Sequence, residues 1–123
     1  MDTIKLTIPA KAQYLLTARL ASSSIGARIN MTIGDVDDLK TAVAECCILL
    51  ISSGRFTDIA IEYIIEDNVA KCQVMGVEEL DEAIEADIET DLSKHILEAT
   101  TSELEIHKVN NVVDYIKFTK TGI

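Results

Sequence analysis

Ile4, Leu6 and Ile8 alternate with Thr3, Lys5 and Thr7, the period of a strand with one buried face, and Pro9, which cannot donate to a ladder, ends it. Over residues 11–29 the positions Tyr14, Leu15, Ala18, Ala21, Ile25 and Ile29 recur at helical spacing, with Asn30 as a stop. Thr32-Ile33-Gly34-Asp35 has the spacing of a capping box, a hydroxyl and an acid three apart that satisfy free N–H groups, so a second helix begins near Gly34. Its first half is amphipathic, with Val36, Leu39 and Val43 on one side, whereas Cys46-Cys47-Ile48-Leu49-Leu50-Ile51 is apolar all round. The second half must therefore be covered on more than one side.

Residues 56–65 and 69–75 read as two strands joined by Glu66-Asp67-Asn68, a polar turn in which Asn tolerates the left-handed conformation. Downstream, Leu80, Ile84, Ile88, Leu92, Ile96 and Ala99 recur at steps of four or three, so residues 78–102 form one long helix or two broken near Thr90. Residues 104–107 and 112–118, joined by Lys108-Val109-Asn110-Asn111, make a final hairpin. The order β-α-α-β-β-α-β-β predicts an α+β fold, a two-layer sandwich with three helices on one face of a mixed, mainly antiparallel sheet.

At 123 residues the chain has the length of one domain, spanning 1–123. Hydrophobic residues at 48% against 26% charged place it among chains that fold, and aromatics at 4% with no Trp leave an aliphatic core and no stacking platform for single-stranded nucleic acid. The formal charge of −10 repels phosphate backbones and anionic lipid heads, which excludes nucleic acid and membranes as partners and favours basic proteins. The acidic residues between Glu78 and Asp91 read as a solvated helix face or as the landing site of such a partner. The first residues lack a basic segment followed by an apolar core, and no apolar run approaches the ~20 residues that span a bilayer, so a cytoplasmic location is expected. Cys46, Cys47 and Cys72 form no CxxC pair and read as reduced thiols packed in the core.

Few side chains carry a pattern of chemistry. Asp91, His95 and Glu98 are spaced to grip a metal ion from one helix face, but a buried stripe through Leu92 and Ile96 turns them to solvent, and His107 supplies no obvious fourth ligand. Ser22-Ser23-Ser24 and Ser52-Ser53 have no His or acid beside them in a nucleophile pattern, so covalent catalysis has no support.

The order of elements, together with Ile8-Pro9-Ala10, Arg19-Leu20 and the stretch from Asp35-Val36-Asp37-Asp38-Leu39-Lys40 through Thr41-Ala42-Val43-Ala44-Glu45-Cys46-Cys47, resembles the bacterial anti-sigma factor serine kinases of the histidine-kinase-like (GHKL) ATPase superfamily. The resemblance is most specific over residues 4–50 and weakens after Met75. It implies an N box, Glu-x-x-x-Asn, whose Glu is the general base of phosphoryl transfer and whose Asn helps hold Mg²⁺. Here the matched residues are Glu45 and Leu49. It implies an Asp-x-Gly-x-Gly motif whose Asp binds the adenine amino group; strand alternation puts Gly76 at that Asp, followed by Val77-Glu78-Glu79. A Gly-rich lid and a Gly-x-Gly cradle for phosphate are matched only by Asp91-Leu92-Ser93, and no glycine stands between Gly76 and Gly122.

A leucine offers Mg²⁺ no oxygen, and each lost charge-assisted contact removes about 1.5–3 kcal/mol, so three losses lower nucleotide affinity by orders of magnitude. The expectation is a degenerate nucleotide site with no bound cofactor and Glu45 as a vestigial base, in a protein that works by stoichiometric binding to a sigma factor or an antagonist protein. The resemblance also implies a homodimer and matches Arg19 to a partner-binding position. Two other readings stand beside it. One is an active ATP- and Mg-dependent serine kinase that uses Glu45. The other is an assembly module whose apolar face at residues 48–51 is covered by another chain.

Overall fold

A computed structural model describes residues 1–80 and 90–122, the side chains of residues 90 and 91 excepted. Strand β1 (Asp2–Pro9) leads through a 3-10 turn (Ala12–Tyr14) into helix α1 (Leu15–Arg28) and then α2 (Ile33–Ser52). The hairpin of β2 (Phe56–Glu66) and β3 (Val69–Glu79) follows, then α3 (Thr90–Thr100) and the hairpin of β4 (Glu103–Val109) and β5 (Val112–Thr121). One sheet runs in the order β1-β2-β3-β5-β4, and every pairing in it is antiparallel, so among the described residues the sheet is wholly antiparallel rather than mixed. Its inward residues, Ile59, Ile61, Tyr63, Ala70, Cys72, Val74, Ile116 and Phe118, are buried in one core with the helices.

Local chemistry accounts for most of the boundaries. Thr32 caps α2 by accepting a hydrogen bond from the Asp35 amide at 3.1 Å, as the capping-box spacing requires. The β4–β5 turn places both Asn110 (φ 52°) and Asn111 (φ 63°) in the left-handed region, the demand of a two-residue hairpin turn. In the β2–β3 turn that conformation falls on Asp67 (φ 52°), one residue before the expected Asn68, whose amide instead donates to the Gly122 carbonyl at 3.0 Å.

Helix α2 is the centre of the helical layer. It packs against α1 on one side, α3 on the other, and β2, β3 and β5 beneath, which is why its second half is apolar all round. Leu39, Ala42, Val43, Cys46, Cys47, Leu49 and Leu50 are all buried by this chain's own elements, Ile51 is partly buried, and Ile48, at 36% exposure, is the exposed residue of the 46–51 run. Lys120, on β5, pins the start of α2 through Asp38 at 3.1 Å and Asp35 at 3.5 Å. Tyr63 and Ser22, both fully buried, share a 2.7 Å hydrogen bond that joins the sheet to α1, and the Ser22 hydroxyl also lies 2.9 Å from the Ala18 carbonyl. The three cysteines are free and buried, and burial pushes their thiols up, Cys47 to about 12.

Three further expectations are corrected. Residues 78–102 are not one helix: Glu78 and Glu79 finish β3 and α3 is described over Thr90–Thr100, while residues 81–89, on which a break near Thr90 depends, lie outside the described part. The buried stripe of α3 is Ser93, Leu97 and Thr100, one residue on from the predicted Leu92, Ile96 and Ala99, and Leu92 is 58% exposed. The helix takes its rotation from docking on α2, and both stripes have helical spacing. In β1, an edge strand with one neighbour, burial rises along the chain from Ile4 at 40% exposure to Ile8 at 3%, so the alternating pattern is buried only at its end.

Candidate functional site

Glu45 and Leu49 lie one turn apart on α2, on the side that α3 covers. Leu49 is 2% exposed and belongs to the hydrophobic core. Glu45 is half-buried, and its Oε1 accepts a hydrogen bond from the Ser93 hydroxyl at 2.6 Å. The geometry is that of a charge-assisted O–H···O⁻ bond, short and strong. Ser93 is 6% exposed. Two residues that the sequence marks 48 positions apart are thus brought into contact across two helices. Asp91 opens the same helix, its side chain outside the described part.

Gly76 lies on β3 opposite Ile59 of β2. A Cβ built on it would overlap the ring of Phe56, a buried residue at the start of β2. Two positions further on, Glu78 has φ 55°, a left-handed backbone at the place matched to the first glycine of Asp-x-Gly-x-Gly. Pairing skips there, with Phe56 opposite Glu79 and Asp58 opposite Val77, so Glu78 sits in an irregularity of the ladder. The backbone has the form a glycine favours, and the side chain is a glutamate.

The other candidates fall elsewhere. His95 and Glu98 are exposed, as the solvated-face reading holds, and among the described residues no group of three His, Cys, Asp or Glu is placed to hold a metal ion. A cavity of about 410 Å³ opens over β3, β5 and β4, lined by Lys71, Gln73, Glu105 and Lys117 among others, and none of the predicted site residues lines it. No described helix is long and apolar enough to cross a membrane.

Arg19 is half-buried on α1, and beside it Leu16 and Leu20, 64% and 60% exposed, stand on the helix face opposite buried Ala18, Ser22 and Ile25. Sequence periodicity passes over this pair because the helix is read for its buried stripe. The signal lies in the charges: from Thr3 to Gly34 the chain carries Lys5, Lys11, Arg19 and Arg28 and no carboxylate, in a protein of net charge −10. Phe56 was likewise missed, although a lone glycine inside a strand is a sign of close approach by a neighbour.

No family model matches the chain. A serine-protein kinase RsbW from Halalkalibacterium halodurans is 44% identical over 46 residues, 37% of this chain and 28% of that protein. The RsbW of Bacillus velezensis is 40% identical over 47 residues, again 29% of its own length, so the matched stretch spans less than a third of these two relatives. The RsbW of Bacillus thuringiensis aligns over 94% of this chain and 76% of its own at 24% identity. Among solved structures, the RsbU and RsbW domains of Rv1364c from Mycobacterium tuberculosis superpose with a TM-score of 0.75 over 99% of this chain and 33% of that one, at 17% identity, which is a likeness of fold. High local identity, an alignment of nearly the whole chain and a common fold make this chain similar to the RsbW serine-protein kinases.

Proposed function

We propose that the protein is an anti-sigma-factor-like regulator that acts by stoichiometric protein binding and that its nucleotide site is degenerate. The observation that carries this reading is that the chain's own side chains engage the positions matched to the nucleotide motifs. Leu49 is committed to the core, the Glu45 carboxylate is taken up by Ser93, and the Phe56 ring fills the space an acid at position 76 would need. A magnesium-held triphosphate needs oxygen ligands and bare backbone amides, and these residues offer neither set.

Binding is assigned to the outer face of α1. Leu16 and Leu20 there contribute exposed apolar area next to Arg19, in a stretch free of acids, so the partner presents an apolar ridge flanked by carboxylates. A sigma factor or an antagonist protein is the partner class that the likeness suggests, and a homodimer is the assembly it suggests. In a pull-down from the native cell extract, wild-type protein should retain a sigma factor or antagonist, and Leu20→Ser should lose it while keeping its unfolding midpoint. Retention of the same proteins by Leu20→Ser would remove α1 from the interface.

Two observations favour the alternative, an ATP- and Mg-dependent serine kinase. Glu45 keeps partial access to solvent, and the relatives' names describe kinases. Isothermal titration with Mg-ATP separates the two readings: a Kd in the micromolar range would overturn the degenerate-site reading, and no heat at millimolar nucleotide supports it.

A further inference from the structure

Among the described residues, few groups hold helix α3 to the rest of the protein. Its described span, Thr90–Thr100, is of a length that is marginal as an isolated helix in water and is stabilised by docking. Of its described side chains only Ser93, Leu97 and Thr100 are buried, and Leu97 is the one large apolar anchor among them. The Thr100 hydroxyl donates to the Ile96 carbonyl of its own helix at 2.8 Å and ties α3 to nothing else. The Ser93–Glu45 bond at 2.6 Å is therefore the one side-chain hydrogen bond, among the described residues, that joins α3 to α2.

We propose that Ser93 is a latch: its hydroxyl, donated to Glu45, holds α3 closed over α2, so that α3 opens as a local unit and the Glu45 carboxylate loses its partner when it does. The inference rests on reading Glu45 and Ser93 as residues of the candidate site, and it holds whether or not nucleotide binds. Three features support a local device over ordinary core packing. The bond is charge-assisted, so losing it removes more than a neutral contact would. It lies one turn before Leu97 on the same face of α3, so it is a second, separate point of attachment to α2. The apolar anchor at Leu97 is a single residue, and segments with few buried apolar contacts populate the low end of local opening free energies.

Amide hydrogen exchange on the full chain, without nucleotide, tests this. In Ser93→Ala the amides of residues 94–100 should exchange roughly ten- to a hundredfold faster than in wild type, the range of one charge-assisted hydrogen bond. Amides in the β2–β3 ladder should stay unchanged. Ser93→Thr, which keeps the hydroxyl, should restore slow exchange, and Glu45→Gln, which keeps an acceptor without its charge, should fall between. Unchanged exchange in α3 of Ser93→Ala would overturn the latch. So would equal acceleration in α3 and the β2–β3 ladder, because α3 would then open only with the whole fold. Mg-ATP titration of the wild type reports on the degenerate-site reading alone, so the two can fail separately.

Discussion

Adding one methyl group to β3 is the sharpest test of how closely Phe56 packs on Gly76. Gly76→Ala places a Cβ where the Phe56 ring already lies. In an open strand position the change would stabilise by about 0.5–1 kcal/mol, because glycine loses the most backbone freedom on folding. Here the overlap is with the body of a buried ring and not with the end of a flexible chain, so overpacking at about 1–3 kcal/mol outweighs that gain. The net expectation is a loss of up to about 2.5 kcal/mol, the sum of those two opposing ranges. Gly76→Asp, which restores the acid implied by the family likeness, adds an unpaired carboxylate at a packed position and should lose several kcal/mol in all, on the order of the whole stability of a marginal domain. Urea denaturation with a fixed m-value measures each change. A double-mutant cycle with Phe56→Leu supplies the control: if the ring is the obstacle, the two substitutions together should be better than additive by at least about 1 kcal/mol. A stabilised Gly76→Ala, or strict additivity with Phe56→Leu, would refute the idea that Phe56 fills the space beside Gly76.

Three further outcomes follow from particular contacts. Glu78→Gly should raise stability by about 1 kcal/mol, the relief of a left-handed backbone at about 1–2 kcal/mol less the entropy that glycine adds to the unfolded chain, read as a higher urea midpoint. Lys120→Met should cost about 1–3 kcal/mol, since the side chain is 12% exposed and its loss leaves Asp35 and Asp38 together without their cation. High salt should lessen that cost only slightly, because the cluster is mostly shielded from solvent. Finally, stability should fall at alkaline pH. The buried thiols of Cys46, Cys47 and Cys72 keep their protons in the folded state while the unfolded chain releases them. Their contribution is therefore complete below the unfolded thiol value of roughly 8.5 and is lost as pH rises from there toward the folded values, about 1.4 kcal/mol per thiol per pH unit. For Cys47 the window closes near 12. Unfolding curves at pH 8, 9 and 10 should show the decline, and a flat profile over that range would contradict the burial of these groups.

What the sequence determines here is local. The capping box at Thr32, the asparagine turn between β4 and β5, the alternation in β2 and β3 and the all-round apolar run in α2 each state their structure within a few residues, because turn sterics, caps and periodicity act over that distance. Glu45, Leu49, Gly76 and Ser93 could be marked by likeness to a motif, but their relation to one another could not. Only tertiary packing decided that α3 turns Ser93 rather than Leu92 toward α2, since both stripes have helical spacing and the facing helix selects between them. It also decided that Ser93 meets Glu45 and that Phe56 lies under Gly76, contacts between residues 48 and 20 positions apart that no local pattern encodes. The order β1-β2-β3-β5-β4 has the same origin: β5, not β4, pairs with β3 because closing the core beneath α2 needs Ile116 and Phe118 inside, and that is a property of the assembled layer.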